Sequence, residues 1–264
     1  MLCQFTVKNF KSIRDEVTFD MQAAAISEHE DRIIIDKDEE KYLPVSAVYG
    51  PNGGGKSNVL AALHTLVAKV LRPLLATEDS EEKVLLQRKI IVEPFAFSKS
   101  KDEPTEFELF FRTTVSEYRY ILHVKRDIVL YESLDRVKLE TGRKSALFTR
   151  DENGIVLKGA FAKLKVSDEL SKTLTLLSYL GIAYKGNAVV KDVLSWFEYG
   201  IEFLNYGNPI QELKMAVSTS EDVKKLMLQM IQEMDLDIVD FRVEEKENER
   251  INIFTKHCVD DVET

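Results

Sequence analysis

The stretch Gly50-Pro51-Asn52-Gly53-Gly54-Gly55-Lys56-Ser57 constrains this chain more than any other. It fits G-x-x-x-x-G-K-[ST], a loop that cradles phosphates. Before it lies the apolar run Val45–Tyr49, read as a strand that ends at Gly50. After it, Val59, Leu60, Leu63, Leu66, Val67, Val70 and Leu71 recur at helical spacing, with Arg72-Pro73 as the expected stop. Each loop position has a physical reason. Gly50 permits a sharp exit from the strand. Gly53, Gly54 and Gly55 allow positive φ and remove Cβ atoms, so that successive backbone N–H groups converge on one concavity. Together with the helix N-terminus that concavity binds a phosphate chain, and Pro51 and Asn52 complete it. Lys56 would reach the β- and γ-phosphates, and the Ser57 hydroxyl would ligate Mg²⁺. A dinucleotide G-x-G-x-x-G reading fails, because it would need glycine at Asn58.

The rest of the chain bounds what this loop can serve. Its 264 residues, 44% hydrophobic and 31% charged, suffice for one large domain or two modest ones. Cys3 and Cys258 form no disulfide framework, which suits a reducing compartment. The N-terminus has no apolar leader, and no stretch approaches 18 apolar residues, so the expectation is a cytoplasmic protein without membrane contact. A net charge of −9 argues against holding nucleic acid by overall electrostatics, although a local basic groove stays open.

Periodicity divides the chain. Phe5, Val7, Phe10, Val17 and Phe19 alternate around a turn at Asn9–Ser12, as in a hairpin, and Ile33–Ile35 is a further strand candidate. The acidic stretch Glu78–Glu82 reads as a solvated loop or helix start. Between Val92 and Leu157 the pattern is that of antiparallel strands, with Asn153-Gly154 as a hairpin signal. Helical spacing returns after Ser167: Val190, Val193, Leu194, Phe197, Ile201 and Leu204 share one face. Val223, Leu226, Met227, Met230, Ile231 and Met234 share another, opened by Thr219–Asp222 as an N-cap. Such stripes are core faces. From Phe241 the sequence predicts a strand, a charged turn and a strand. The expected fold class is α/β: a P-loop NTPase lobe with mixed and antiparallel strands plus a helical insertion. Its divisions fall at residues 1–165 (nucleotide lobe), 166–240 (helical insertion) and 241–264 (start of a second, incomplete lobe).

Two stretches carry a family resemblance. FTVKNFKSIRDEVTFDM resembles the opening strand pair of the SMC/RecF-type ABC ATPases, with their NF-[KR]-S turn, and VYGPNGGGKSNVLAAL resembles their P-loop and first helix. Within that class the chain looks most like the AAA family ATPases of the OLD and RloA type, which insert an antiparallel β block and helices after the P-loop. The resemblance implies an ABC/SMC-head-like lobe that binds ATP and Mg²⁺ through Gly50 to Ser57, with Asn58 at the phosphate edge or packing the helix. It places Asn9, Lys11 and Ser12 near the nucleotide, Lys11 either touching it or standing as a solvated turn lysine. It also implies a homodimer or higher oligomer with ATP sandwiched between heads, and a nuclease or toxin effector in antiphage defence.

The late motifs of that class are not evident. No S-x-G-[EQ] signature follows the helical segment, and no apolar run ends in a paired Asp-Glu. Arg32–Asp36 precedes the P-loop and reads as an ordinary strand; Ile90–Glu93 runs into Pro94; Leu236–Asp240 is interrupted by Asp237. Asp151–Gly154 spells D-x-x-G, yet no N-K-x-D follows to read guanine. His29, His64, His123 and His257 are scattered, and His257-Cys258 beside Asp260-Asp261 lacks a spaced ligand set. By the family's order of motifs the chain is expected to stop before its second ATPase lobe. The resulting expectation is ATP·Mg²⁺ binding with weak or absent turnover by this chain alone. The alternatives are a non-hydrolysing ATP-sensing module and, behind it, a small phosphotransferase or GTPase.

Overall fold

Alternation of Phe5 and Val7 with polar partners builds the first hairpin. In the computed structural model, β1 (Leu2–Lys8) pairs antiparallel with β2 (Val17–Asp20), with Phe5 opposite Phe19. The structure describes residues 1–25, 30–75, 90–97, 99–167, 169–203, 221–233, 238–245, 251–259 and 262–263. It divides into two compact units, Met1–Glu202 and Phe203–Thr264.

In the first unit, five further strands follow the P-loop helix: β5 (Thr105–Arg112), β6 (Ser116–Lys125), β7 (Ile128–Lys138), β8 (Lys144–Asp151) and β9 (Gly154–Leu157). They join the first hairpin in a seven-stranded sheet of order β2-β1-β5-β6-β7-β8-β9, antiparallel throughout its recorded pairings. The α/β class and the antiparallel block are thus as expected. Asn153-Gly154 does turn β8 into β9, with Gly154 at φ +124°. A separate pair, β3 (Ile34–Ile35) and β4 (Lys41–Tyr42), sits beside the N-terminus.

One face of the sheet is the core. Phe5, Phe107, Leu109, Phe111, Tyr118, Tyr120, Leu122 and Phe148 are fully buried on it. Three helices contribute the other side: α1 (Lys56–Leu75), α2 (Leu176–Ala183) and α3 (Ala188–Tyr199). Trp196 of α3 lies tilted on Phe111 and Phe197 meets it edge-on, at 4.6 and 5.4 Å between ring centres. The helices are closely joined. A Cβ at Gly181 would fall 2.6 Å from Leu194 and 2.7 Å from Leu74, so only glycine lets α1, α2 and α3 meet there. Ser178 Oγ donates to the Val70 carbonyl at 2.7 Å, and the buried Lys69 Nζ donates to the carbonyls of Asp127 and Thr173. Asn187 and Thr175 cap α3 and α2.

The α2 N-terminus also meets a buried carboxyl. Glu132, fully buried on β7, accepts from the N–H groups of Leu176 and Leu177 and from Tyr120 Oη, with Arg150 3.9 Å away. Burial pushes this carboxyl above its ordinary range, against the pull of those donors.

Three sequence readings need correction. Val45–Tyr49 is not a strand: no strand pairing is recorded for it, and Val45 and Tyr49 are 77% and 90% exposed. Its β-branched residues suit a strand, but without a neighbouring strand the propensity has nothing to pair with. The P-loop helix does not stop at Arg72-Pro73 but runs to Leu75, because Leu74 is held against α2 at Gly181 and tertiary contact outweighs the lost N–H of Pro73. The α3 stripe ends at Tyr199, where the Gly200 N–H closes on the Trp196 carbonyl, so Ile201 lies beyond the helix. Ile90–Glu93, which runs into Pro94, is irregular backbone whose Val92 N–H bonds to the Arg126 carbonyl. By length and composition α1 could cross a bilayer, yet Ala62, Leu63, Leu66, Val67 and Val70 are buried in the core.

The second unit holds α4 (Glu221–Glu233) and the antiparallel strands β10 (Ile238–Glu245), β11 (Ile251–Val259) and β12 (Val262–Glu263). Phe241 is buried and Lys224 pairs with Asp240 at 3.1 Å. The two expected strands are therefore present, with His257 and Cys258 on β11, while the charged turn at 246–250 lies outside the described residues. The acidic stretch Glu78–Glu82, the N-cap residues Thr219 and Ser220, and Leu204, Met234, His29, Leu236, Asp237, Asp260 and Asp261 lie outside the described residues.

Candidate nucleotide site

Local chemistry shapes the glycine loop into a cradle. Gly53 and Gly55 adopt φ of +80° and +85°, the left-handed region that side chains with a Cβ disfavour. Gly54 has no positive φ, which departs from the sequence reading. Its requirement is spatial: its N–H bonds to the Pro51 carbonyl, and a Cβ would sit 3.0 Å from that oxygen. Helix α1 begins at Lys56, so the first-turn N–H groups of Lys56 and Ser57 face the loop without intrahelical partners. Lys56 Nζ folds over the loop and donates to the carbonyls of Gly50 and Pro51 at 2.7 and 2.8 Å. Among the described residues no carboxylate pairs with Lys56, so its charge stays available to an anion.

The N-terminal turn is seated on this cradle. Asn58 Nδ2 donates to Ser12 Oγ at 2.6 Å, and a Cβ at Gly55 would fall 3.0 Å from the same oxygen. Ser12, Gly55 and Asn58 are therefore brought together across 46 residues of chain. Lys11 sits at φ +49°, its N–H bonded to the Glu93 carbonyl and its Nζ 5.5 Å from the Phe10 ring. The Asn9 side chain is engaged by the 95–105 segment. It is 1% exposed, its Nδ2 is shared among the carbonyls of Ser100, Glu103 and Pro104, and its Oδ1 accepts from the Phe95 N–H. It fastens the turn to the 95–105 segment rather than facing the loop. Positive φ at Asn9 (+56°) is tolerated because the amide is fully used.

These donors fit a polyphosphate: two left-handed glycines, a helix N-terminus and an unneutralised lysine converge, with the exposed Ser57 hydroxyl beside them. Mg²⁺ keeps several waters and takes few protein ligands, so one serine oxygen plus phosphate oxygens would suffice. Among the described residues no cluster of three His, Cys, Asp or Glu side chains offers an independent metal site.

The family model described as "AAA domain, putative AbiEii toxin, Type IV TA system" matches residues 45–190, more than half of the chain. The chain belongs to this AAA family. No curated protein matches it. The matched span runs from the segment before the P-loop through β9 and α2 into α3, so the AAA domain includes the cradle and most of the sheet. Family membership makes this a P-loop, nucleotide-binding ATPase domain. The Ser12–Asn58 bond lies partly outside the matched span, because the N-terminal turn precedes it. No periodicity or composition joins residue 12 to residue 58; the only sequence signal was that both belong to recognisable motifs.

Proposed function

We propose that this AAA domain is the ATP-binding lobe of an ABC/SMC-type ATPase, closest to the OLD and RloA group. In this reading ATP·Mg²⁺ binds Gly50 to Ser57, and bound ATP holds two heads together as a switch. The observation that carries it is the seating of the NFKS turn on the P-loop through Ser12, Gly55 and Asn58. A P-loop alone is shared by many chemistries, whereas this pairing of turn and loop supports the narrower class. The AAA family's description mentions a toxin and a type IV toxin–antitoxin system. A toxin or nuclease effector in defence against phage is the biological setting that follows. The Ser57 hydroxyl would hold Mg²⁺, and Lys11 and Ser12 would face the nucleotide.

A second reading, a non-hydrolysing ATP sensor, is favoured by one observation. Among the described residues Lys56 is held by the carbonyls of Gly50 and Pro51 and by no carboxylate, a resting arrangement that suits binding without turnover. Both readings share ATP binding, and turnover separates them. Calorimetry with ATP·Mg²⁺ is expected to give stoichiometric binding, and phosphate release by this chain alone is expected to stay at background. Robust Lys56-dependent hydrolysis by this chain alone would refute the expectation of weak or absent turnover. Stoichiometric binding without turnover even in a full assembly would favour the sensor.

The turn contact gives a further expected result. Ser12→Ala and Asn58→Ala should each weaken ATP binding by about fivefold, the scale of one hydrogen bond of roughly 1 kcal/mol. The double variant should be no weaker than the worse single, since both remove the same bond. Fully additive losses in calorimetry would show that the two residues act separately.

A further inference from the structure

One corner of the first unit is strongly basic in an otherwise acidic chain. Residues 136–148, which span the β7–β8 turn, and 158–167, which follow β9, hold seven cations and one acid, Glu140, while the net charge of the chain is −9. Local bonds bring the two segments together. The hairpin tip closes where the Lys138 N–H meets the Arg143 carbonyl and the Gly142 N–H meets the Lys138 carbonyl. Beyond β9 the Lys158 N–H bonds to the Leu147 carbonyl, and a Cβ at Gly159 would fall 2.9 Å from the Ala146 carbonyl oxygen. Phe161 then stacks on Phe148 beneath the surface. Tyr184, at the end of α2, accepts from the Lys165 N–H and donates to its carbonyl, which brings Lys185 to the same corner.

These charges are not neutralised within the fold. Lys138, Arg143, Lys144, Lys158, Lys163 and Lys165 are all exposed, and among the described residues none is paired with a carboxylate. Two bordering acids do not offset them. Asp135 points to the opposite face of β7 from Arg136, and Asp192 is held by Tyr118 and Thr113. Like charges gathered in this way repel one another and attract a polyanion.

What lies between the cations selects the anion. Glycine or alanine occupies positions 142, 159, 160 and 162, and no large hydrophobic side chain of either segment is exposed. A membrane surface needs apolar anchors beside the cations, and a protein partner needs an apolar centre. Single strands are held by aromatic stacking, but Phe148 and Phe161 are buried. Neither segment contains Asn or Gln to read adenine edges. Duplex RNA is recognised through 2′-hydroxyls as well as phosphates, and a face of lysine and arginine answers the phosphates alone.

We propose that this corner binds the phosphate backbone of duplex DNA, without sequence preference and apart from the nucleotide site. The small residues let the backbone approach closely, and the cations neutralise its phosphates. The corner lies at the far end of the strands from the P-loop. Lys138 pairs with Ser116, whereas the NFKS turn follows Lys8, which pairs with Glu106 at the other end of β5.

Fluorescence anisotropy with a labelled DNA duplex of about 20 base pairs, in the absence of ATP, tests this. The parent should bind with a dissociation constant on the order of 10 μM at about 100 mM salt. Its log K should fall against log[salt] with a slope of roughly −5, as for six phosphate contacts. Lys138→Gln, Arg143→Gln and Lys144→Gln combined should flatten that slope by about 3 and weaken binding at least about thirtyfold. Lys158→Gln, Lys163→Gln and Lys165→Gln combined should do the same, so a folding defect in one triple leaves the other to decide. The control combines Arg14→Gln, Arg32→Gln and Lys41→Gln, three exposed cations already paired with Asp15, Asp31 and Glu30. It removes the same charge and should change neither slope nor affinity. A parent that does not bind, an unchanged slope in both triples, or an equal loss in the control would each overturn the proposal. So would duplex RNA or single-stranded DNA of the same length bound as tightly as the DNA duplex.

Discussion

Arg112→Ala is expected to cost this fold about 3–5 kcal/mol, the scale for breaking a buried ion pair from one side. Arg112 is 5% exposed at the end of β5. Its Nη1 and Nη2 grip Asp38 at 2.6 and 2.8 Å, Nη1 also reaches Asp36 at 3.0 Å, and Nε reaches Glu117 at 2.7 Å. Its guanidinium lies 5.1 Å from the Tyr42 ring. Burial alone would lower its pKa, but hydrogen bonds to Asp38, Glu117 and Asp36 outweigh burial and raise it. Truncation leaves the carboxylates of Asp36, Asp38 and Glu117 facing one another without a cation. A domain's whole stability is only about 5–15 kcal/mol, so the urea midpoint should fall sharply. Lysine should not restore it, because a point charge cannot reproduce the planar fork. The pH dependence has a definite sign. Asp38 is held below its usual 3.8, first by its hydrogen bond to Arg112. That contribution is present above the usual value and disappears as pH falls through the lower, folded one. Arg112→Ala should therefore flatten the acid limb of the stability curve. An unchanged midpoint and an unchanged acid limb would show the cluster to be inert.

The parts of this fold written in local patterns were legible beforehand. Tyr118, Tyr120, Leu122 and Val124 alternate as one face of β6, and Val190, Val193, Leu194 and Phe197 stripe α3, because burial on one side imposes period 2 or 3.6 on the sequence. The cradle was legible for the same reason: the glycine positions and Lys56 answer to backbone geometry within eight residues. What stayed hidden depends on partners distant in sequence. Val45–Tyr49 has strand propensity and no pairing, and nothing local distinguishes a paired run from an unpaired one. Pro73 looks like a stop, yet Gly181, over a hundred residues later, holds the helix past it. Glu132 reads as an ordinary polar position of a half-buried strand, and only the arrival of the α2 N-terminus gives this buried carboxyl its donors. Asn9 shows the same limit at the site: motif membership placed it near the nucleotide, whereas its amide is used by three carbonyls from residues 100–104.

Lys56→Ala is expected to weaken ATP binding by roughly a hundredfold, equivalent to about 2.7 kcal/mol and within the range for hydrogen bonds to charged groups. In the structure Lys56 Nζ is held by two carbonyl oxygens of its own loop, Gly50 and Pro51. Those bonds are neutral-acceptor contacts at the surface, so a triphosphate can replace them with charge-assisted ones at little cost. The same fact predicts what does not change. Losing two exposed contacts within six residues should leave the urea midpoint within about 0.5 kcal/mol of the parent. The cradle itself, built from Gly53, Gly55 and the α1 N-terminus, survives the substitution, which is why binding is weakened rather than abolished. Arg112→Ala makes the opposite pattern: lower stability with undiminished affinity in the folded fraction, since its cluster belongs to β3, β4, β5 and β6 and not to the loop. Calorimetry and urea titration on both variants separate the two roles. If Lys56→Ala bound ATP as tightly as the parent, the glycine loop would be a turn and not a phosphate site, and the ATPase reading would fall with it.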